Sequence, residues 1–191
     1  MTRFLLPTIL IALLPSSVAN AAIYAGLNLT ADSVTFTDAA PSVLSESLIG
    51  PEIHLGYHLS DFGVELGYGT TRKNQQDTDL RFNRLTADGL YYLPVGGFLN
   101  LVLTGGVAQD NYGASTFIKK SYTQDGTVKD TRIGTTFLSG NEFDWRAGGG
   151  LSFSFAGGYE LHVIGRYEPL TMKRLASNAL SLETGFNIDL N

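Results

Sequence analysis

From residue 23 to the end of the chain, apolar and polar side chains alternate with a period of two, and the alternation falls into eight segments. In 23–31, Ile23, Ala25, Leu27 and Leu29 share one face while Tyr24, Gly26, Asn28 and Thr30 share the other. Segment 50–59 sets Ile53, Leu55, Tyr57 and Leu59 against Glu52, His54, Gly56 and His58. Segment 63–70 sets Val64, Leu66 and Tyr68 against Glu65, Gly67 and Gly69. In 83–93, Leu85, Ala87, Gly89, Tyr91 and Leu93 oppose Arg84, Thr86, Asp88 and Tyr92, with Leu90 interrupting the polar face. Segment 98–108 carries Leu99, Leu101, Leu103 and Val107 on its apolar side. Segments 143–155, 159–167 and 179–190 repeat the pattern, placing Asp144, Arg146, Glu160, His162, Arg166, Ser181 and Glu183 on the polar face. Each reads as a strand with two different environments on its two sides.

The connections alternate as well. Long ones cover 32–49, 71–82, 109–142 and 168–178; short ones are Ser60-Asp61-Phe62, Pro94-Val95-Gly96-Gly97 and Ala156-Gly157-Gly158. Tight turns at one end and long connections at the other describe an outer-membrane meander, and about 10 residues at roughly 3.3 Å, tilted about 40°, span about 25 Å. A soluble eight-stranded barrel would alternate too, turned inside out. Three features favour the membrane. All five lysines, Lys73, Lys119, Lys120, Lys129 and Lys173, fall in the long connections. The polar strand face is rich in Gly, Ser and Thr, which fit a narrow interior. Aromatics gather near strand ends, with Tyr57, Phe62, Tyr91, Phe98, Phe155 and Tyr159 towards the turns and Tyr68, Phe82, Phe143, Trp145 and Tyr167 towards the long connections, as two interfacial girdles. The fold class is therefore all-β, an eight-stranded antiparallel up-and-down transmembrane β-barrel.

Composition narrows the functions. A net charge of -5 provides no basic surface for phosphates, so nucleic acid is not a partner. No cysteine is present, which excludes disulfides, thiolate metal sites, a Cys nucleophile and a lipoprotein anchor. Residues 1–21 read as a signal peptide, with Arg3 as the positive region, Phe4 to Leu14 as an apolar stretch too short to span a bilayer as a helix, and Ala19-Asn20-Ala21 as the cleavage pattern. Residues 22–191 form the barrel domain.

Glu52, Glu65, Arg84, Asp88, Arg146, Glu160, Arg166 and Glu183 share the inward face. Buried charges need partners, and pairs on neighbouring strands, such as Glu65 with Arg84 or Arg146 with Glu160, could supply them. The reading is a structural polar network, with a cation-preferring path as its rival because acids outnumber bases five to three in the set. His54 and His58, about 13 Å apart along one strand, cannot share a metal, so no metal or other cofactor is expected. Gly148-Gly149-Gly150 precedes no helix and is no phosphate cradle.

Segment 109–142 is the most distinctive connection. Phe117, Ile118, Lys119, Lys120 and Tyr122 on one arm, and Arg132 and Ile133 on the other, flank an Asp125-Gly126 turn signal. A protruding hairpin whose edges invite strand addition, and a solvated loop that only shields the surface, are the two readings.

Leu90-Tyr91-Tyr92-Leu93-Pro94 and Phe143-Asp144-Trp145-Arg146-Ala147-Gly148-Gly149-Gly150 are similar to the fourth and sixth strands of the eight-stranded outer-membrane barrels, the family of OmpX, the OmpA transmembrane domain and the opacity-type proteins. The resemblance covers the whole chain after the signal peptide. It implies residence among outer-membrane lipids of a Gram-negative bacterium, insertion by the barrel-assembly machinery, and surface-exposed loops that contact host or envelope proteins in adhesion or host-defence resistance. A passive envelope role, a small channel and a lipid A-modifying enzyme are the alternatives. The acidic first connection (Asp32, Asp38, Glu46) is a second candidate contact. Family strands commonly end Gly-x-x-Tyr-x-Phe, whereas Gly185-Phe186-Asn187-Ile188-Asp189-Leu190 keeps the spacing without those aromatics, which implies altered recognition during assembly. Catalysis is not expected, since His54, His58 and His162 all lie outside the long connections and His58-Leu59-Ser60 sits at the tight-turn end. With the last strand ending the sequence, no peptidoglycan-binding domain is expected.

Overall fold

The computed structural model describes residues 21–36, 46–75, 78–124, 127–172 and 175–190. They form β1 (Ala21–Phe36), β2 (Glu46–Leu59), β3 (Phe62–Gln75), β4 (Thr78–Gly96), β5 (Leu99–Gln124), β6 (Thr127–Phe155), β7 (Tyr159–Met172) and β8 (Leu175–Asp189). Every strand pairs antiparallel with its sequence neighbours, and β8 returns to β1 through pairs such as Leu27↔Phe186. The result is a closed eight-stranded barrel in which no strand edge faces lipid within the membrane.

Period-two alternation decides which side chains face out. Leu27, Ile53, Leu66, Leu85, Leu103, Leu161 and Leu182 are exposed on the outer wall, where lipid replaces a protein core. Phe62, Phe98, Phe155 and Tyr159 ring the short-turn end, and Tyr68, Phe143, Trp145 and Tyr167 the other. Trp145 and Phe155 are ten residues apart on β6, or about 25 Å along the membrane normal at a tilt of about 40°. Phe82 does not join the girdle. It is 1% exposed and points inward, in phase with Arg84, Thr86 and Asp88.

The strands run well beyond the expected segments, and the expected long loops are largely strand. The connection expected over 71–82 contracts to a β3–β4 ladder reaching Gln75↔Thr78, and that over 168–178 to a β7–β8 ladder reaching Met172↔Leu175. Backbone pairing does not require the membrane-type alternation that marked the expected strand ends, so it continues past the girdle. β5 and β6 extend furthest, with 26 and 29 residues, and pair from Leu99↔Phe153 to Gln124↔Thr127 across one register shift at Ala114/Ser115. At the opposite end Ser60 and Asp61 turn β2 into β3, with Ser60 in the left-handed region, while Gly157 and Gly158 supply the positive φ angles of the β6–β7 turn. The β4–β5 turn is tighter than expected, because β4 reaches Gly96 through an irregularity at Pro94.

The interior is layered. Leu90, Tyr92, Val102 and Ile164 form an apolar cluster towards the short turns. Val34, Leu48, Leu80, Phe82, Tyr112, Leu170 and Ala179 form a second one at the level where the strands leave the girdle. On β7, Arg166 and Glu168 lie between Ile164 and Leu170 of the two clusters, and on β4, Arg84 and Asp88 lie between Phe82 and Leu90.

Candidate functional site

All eight charged residues assigned to the inward face lie inside the barrel, seven of them buried and Glu160 half-buried. They divide into three groups. Towards the upper apolar cluster, Arg84 donates from Nε to Asp110 Oδ1 at 2.9 Å, and its terminal nitrogens lie 3.4 Å from Asp32 Oδ1 and 3.5 Å from Glu168 Oε2. Thr71 and Ser181 donate their hydroxyls to Asp32 at 2.9 and 2.6 Å. Below this, Arg146 and Arg166 each donate to one oxygen of Glu183 at 2.7 Å and each lie 3.3 Å from one oxygen of Asp88. Arg166 also bonds the Thr104 hydroxyl. Two guanidinium groups and two carboxylates thus close a square of alternating charge with no net charge.

The third group contains no arginine. His54 Nε2 lies 2.5 Å from Asn187 Oδ1, and Asn187 Nδ2 donates to Glu160 Oε1 at 3.1 Å. His162 Nε2 lies 2.8 Å from Asn28 Oδ1, and Asn28 Nδ2 donates to Glu52 Oε1 at 3.4 Å. Two parallel His–Asn–Glu relays result, with imidazole centroids 5.9 Å apart. Tyr24 donates its hydroxyl to Glu65 Oε2 at 3.1 Å, and His54 Nε2 is 3.7 Å from the same oxygen. Glycines create the room. Gly26 pairs with both His54 and Asn187, and a Cβ there would overlap both side chains. His58 stands apart, packed against Tyr92 with ring centroids 4.6 Å apart and planes tilted by 46°.

The two suggested ion pairs do not form. The β3–β4 register sets Glu65 opposite Asp88 and Arg84 opposite Gly69, four residues or about 13 Å further along. Glu160 faces Ser154, eight residues along β6 from Arg146. Asp32 is likewise no loop contact: it is buried under Arg84, while Asp38 lies outside the described residues. Asp32, Asp110 and Glu168 were missed as site residues, although each continues the inward phase of its strand, after Thr30, Ala108 and Arg166. Asn28, Asn187 and Tyr24 were in phase too, but nothing in their spacing revealed the histidine and glutamate partners.

A profile of the outer membrane protein β-barrel domain matches residues 4–188. The chain belongs to this family. No curated protein matches its sequence. Among solved structures it is similar to neisserial surface protein A, at a TM-score of 0.65 and 15% identity, over 90% of this chain and 99% of that one. It is also similar to OprG of Pseudomonas aeruginosa, at 0.54 and 14% over 91% and 97%, and to a major outer membrane protein of Thermus thermophilus, at 0.51 and 12% over 87% and 99%. Identities this low speak for the fold alone. The chain is an outer-membrane barrel, and in such barrels the short turns are periplasmic and the long connections extracellular.

The β5–β6 extension lies at the barrel end opposite the short turns. β4 accompanies β5 only to Thr78↔Thr116, and the β6–β7 ladder ends at Ala147↔Tyr167. Beyond Thr116↔Thr135 the two strands continue alone as a ribbon, with Ile118 opposite Ile133 and Lys119 opposite Arg132. Phe117, Lys120 and Tyr122 lie in the same ladder, opposite Gly134, Thr131 and Lys129. The side chains of these candidates lie outside the described part of the structure. Eight paired residues per strand give the ribbon a length of about 26 Å.

Proposed function

We infer that this outer-membrane barrel is a display scaffold: its strands anchor the β5–β6 ribbon at the cell surface, where it meets a host, matrix or envelope protein by backbone pairing. The observation that carries this reading is the ribbon itself. Among the described residues, 117–124 pair only with 127–134, so each strand keeps one row of backbone N–H and C=O groups without a strand partner. Such a row is a template for strand addition.

The rival channel draws no support from the interior. A conducting path would cross the apolar layer of Leu48, Phe82, Tyr112 and Leu170, and then the charge square of Arg146, Arg166, Asp88 and Glu183. Catalysis at the outer leaflet draws none either, since His54 and His162 are engaged in interior relays and His58 packs on Tyr92 near the periplasmic turns.

Replacing 117–134 with Asn-Gly joins two directly opposed residues, Thr116 and Thr135, through a favoured two-residue turn. Bacteria carrying this variant at unchanged surface level should lose at least about 10-fold in adhesion to cultured host cells or immobilised matrix protein, as expected when a hot-spot contact is removed. Equal adhesion by variant and parent would reject the ribbon as the contact element.

A further inference from the structure

One ring nitrogen of His54 and one carboxylate oxygen each from Glu52 and Glu65 lie within 4.8 Å of one another, and all three residues are buried. His54 Nε2 and Glu65 Oε2 are 3.7 Å apart. Two ligands on one tetrahedral ion, with bonds of about 2.0–2.2 Å, stand about 3.4 Å apart; since Nε2 is the atom held by Asn187, the His54 ring must turn about that contact to present Nδ1 to the two carboxylates.

Two further observations point to a ligand. The His54 side chain is 0% exposed, and its Nδ1 has no hydrogen-bond partner. Since Asn187 Oδ1 is an acceptor, the imidazole proton belongs on Nε2, and Nδ1 is left as a buried lone pair. A metal-bound histidine characteristically donates its other ring N–H to an oxygen in this way. Thr86 Oγ1, equally buried, also has no partner. It shares with Glu52 Oε1 the space that a side chain at Gly67 would fill, and Gly67 is the residue opposite both His54 and Thr86. Charge agrees with geometry. Among the described residues, neither Glu52 nor Glu65 has an arginine or lysine partner in an ion pair, whereas Asp88 and Glu183 each have two.

The geometry points to a divalent transition-metal site of the zinc class inside the barrel, with Glu52, His54 and Glu65 as ligands and the Thr86 hydroxyl at its rim. One imidazole with two carboxylates suits zinc, manganese or iron(II). Calcium and magnesium prefer all-oxygen shells, and the chain has no thiolate for softer ions. The Asn28–His162 and Asn187–Glu160 arms hold the ligands from behind. Glu160, whose side chain is 17% exposed, connects this chamber with the periplasmic mouth and supplies an acidic entry for a cation.

The test is calorimetric titration of the chelator-treated, folded full-length barrel in detergent micelles with zinc, alongside calcium and magnesium. The expected result is one equivalent of zinc per barrel, no calcium or magnesium binding, and zinc affinity reduced more than about 100-fold in both His54→Gln and Glu65→Gln. Cobalt in place of zinc should develop visible absorption that both variants lose. The near-isosteric Glu65→Gln retains an acceptor for Tyr24, and retention of the folded electrophoretic form shows that each variant is a barrel. No zinc uptake by the folded parent, or undiminished uptake by both folded variants, would overturn the site.

Discussion

Two parts of the same interior are built from the same carboxylates and reach opposite electrostatic conditions. In the square, Asp88 and Glu183 alternate with Arg146 and Arg166, and each acid touches both bases. In the chamber beside it, Glu52, Glu65 and Glu160 meet histidine, asparagine and tyrosine, with no guanidinium as an ion-pair partner among the described residues. The square is closed in charge, with Glu183 hydrogen-bonded to both guanidinium groups and Asp88 held at ion-pair distance of 3.3 Å, which suits a structural fastener linking β4, β6, β7 and β8. The chamber carries excess negative potential and two unmatched polar atoms, His54 Nδ1 and Thr86 Oγ1. A polar interior is therefore not one thing: buried carboxylates compensated by guanidinium groups hold strands together, and buried carboxylates without such compensation prepare a site.

The largest effect that would break this comparison belongs to the square. Glu183→Gln removes the carboxylate shared by both guanidinium groups and leaves Asp88 to face two cations. Losing one member of a buried charge pair costs about 3–5 kcal/mol, so urea unfolding of the refolded barrel should show a loss of that size. A change below about 1 kcal/mol would mean that water or neighbouring groups already compensate. In the chamber the same chemical change should be mild. Glu65→Gln in the metal-free barrel removes a buried charge that has no arginine partner and keeps the Tyr24 hydrogen bond. Stability should stay within about 1 kcal/mol of the parent or rise, because an unpaired buried carboxylate is itself costly. If Glu65→Gln and Glu183→Gln were equally damaging, the distinction between fastener and site would fail.

The eight strands and the inward position of all eight charged residues were legible because alternation reports faces directly. Partners were not, for two physical reasons. Register between strands depends on turns and on irregularities such as that at Pro94, so the height of Arg84 against Glu65 is not encoded in either segment alone. The interior is also narrow enough for side chains to reach across it: Arg84 on β4 meets Asp32 on β1 and Glu168 on β7, neither of them a neighbouring strand. Phe82 shows how residue type can outweigh phase. Its aromatic character suggested a girdle, but its even-numbered place on β4 already put it with Arg84 and Thr86 inside. The ends of the strands were misjudged where polar residues continue the ladder into water, most visibly in β5 and β6.

The smallest expected effect lies in the β5–β6 ribbon, and it separates display from architecture. Beyond Thr116↔Thr135, β5 and β6 contact each other and no further strand among the described residues, whereas the barrel is closed and its interior filled below that level. An isolated two-stranded hairpin contributes little stability of its own in water. The variant carrying Asn-Gly in place of 117–134 should therefore unfold in urea within about 0.5 kcal/mol of the parent, the range of substitutions away from buried features. Its adhesion should nonetheless fall. A loss of several kcal/mol would instead make the ribbon a structural continuation of the barrel, and its length would then need a mechanical explanation in place of a recognition one. Unchanged stability with lost adhesion leaves the two open backbone edges as the feature whose removal accounts for the difference.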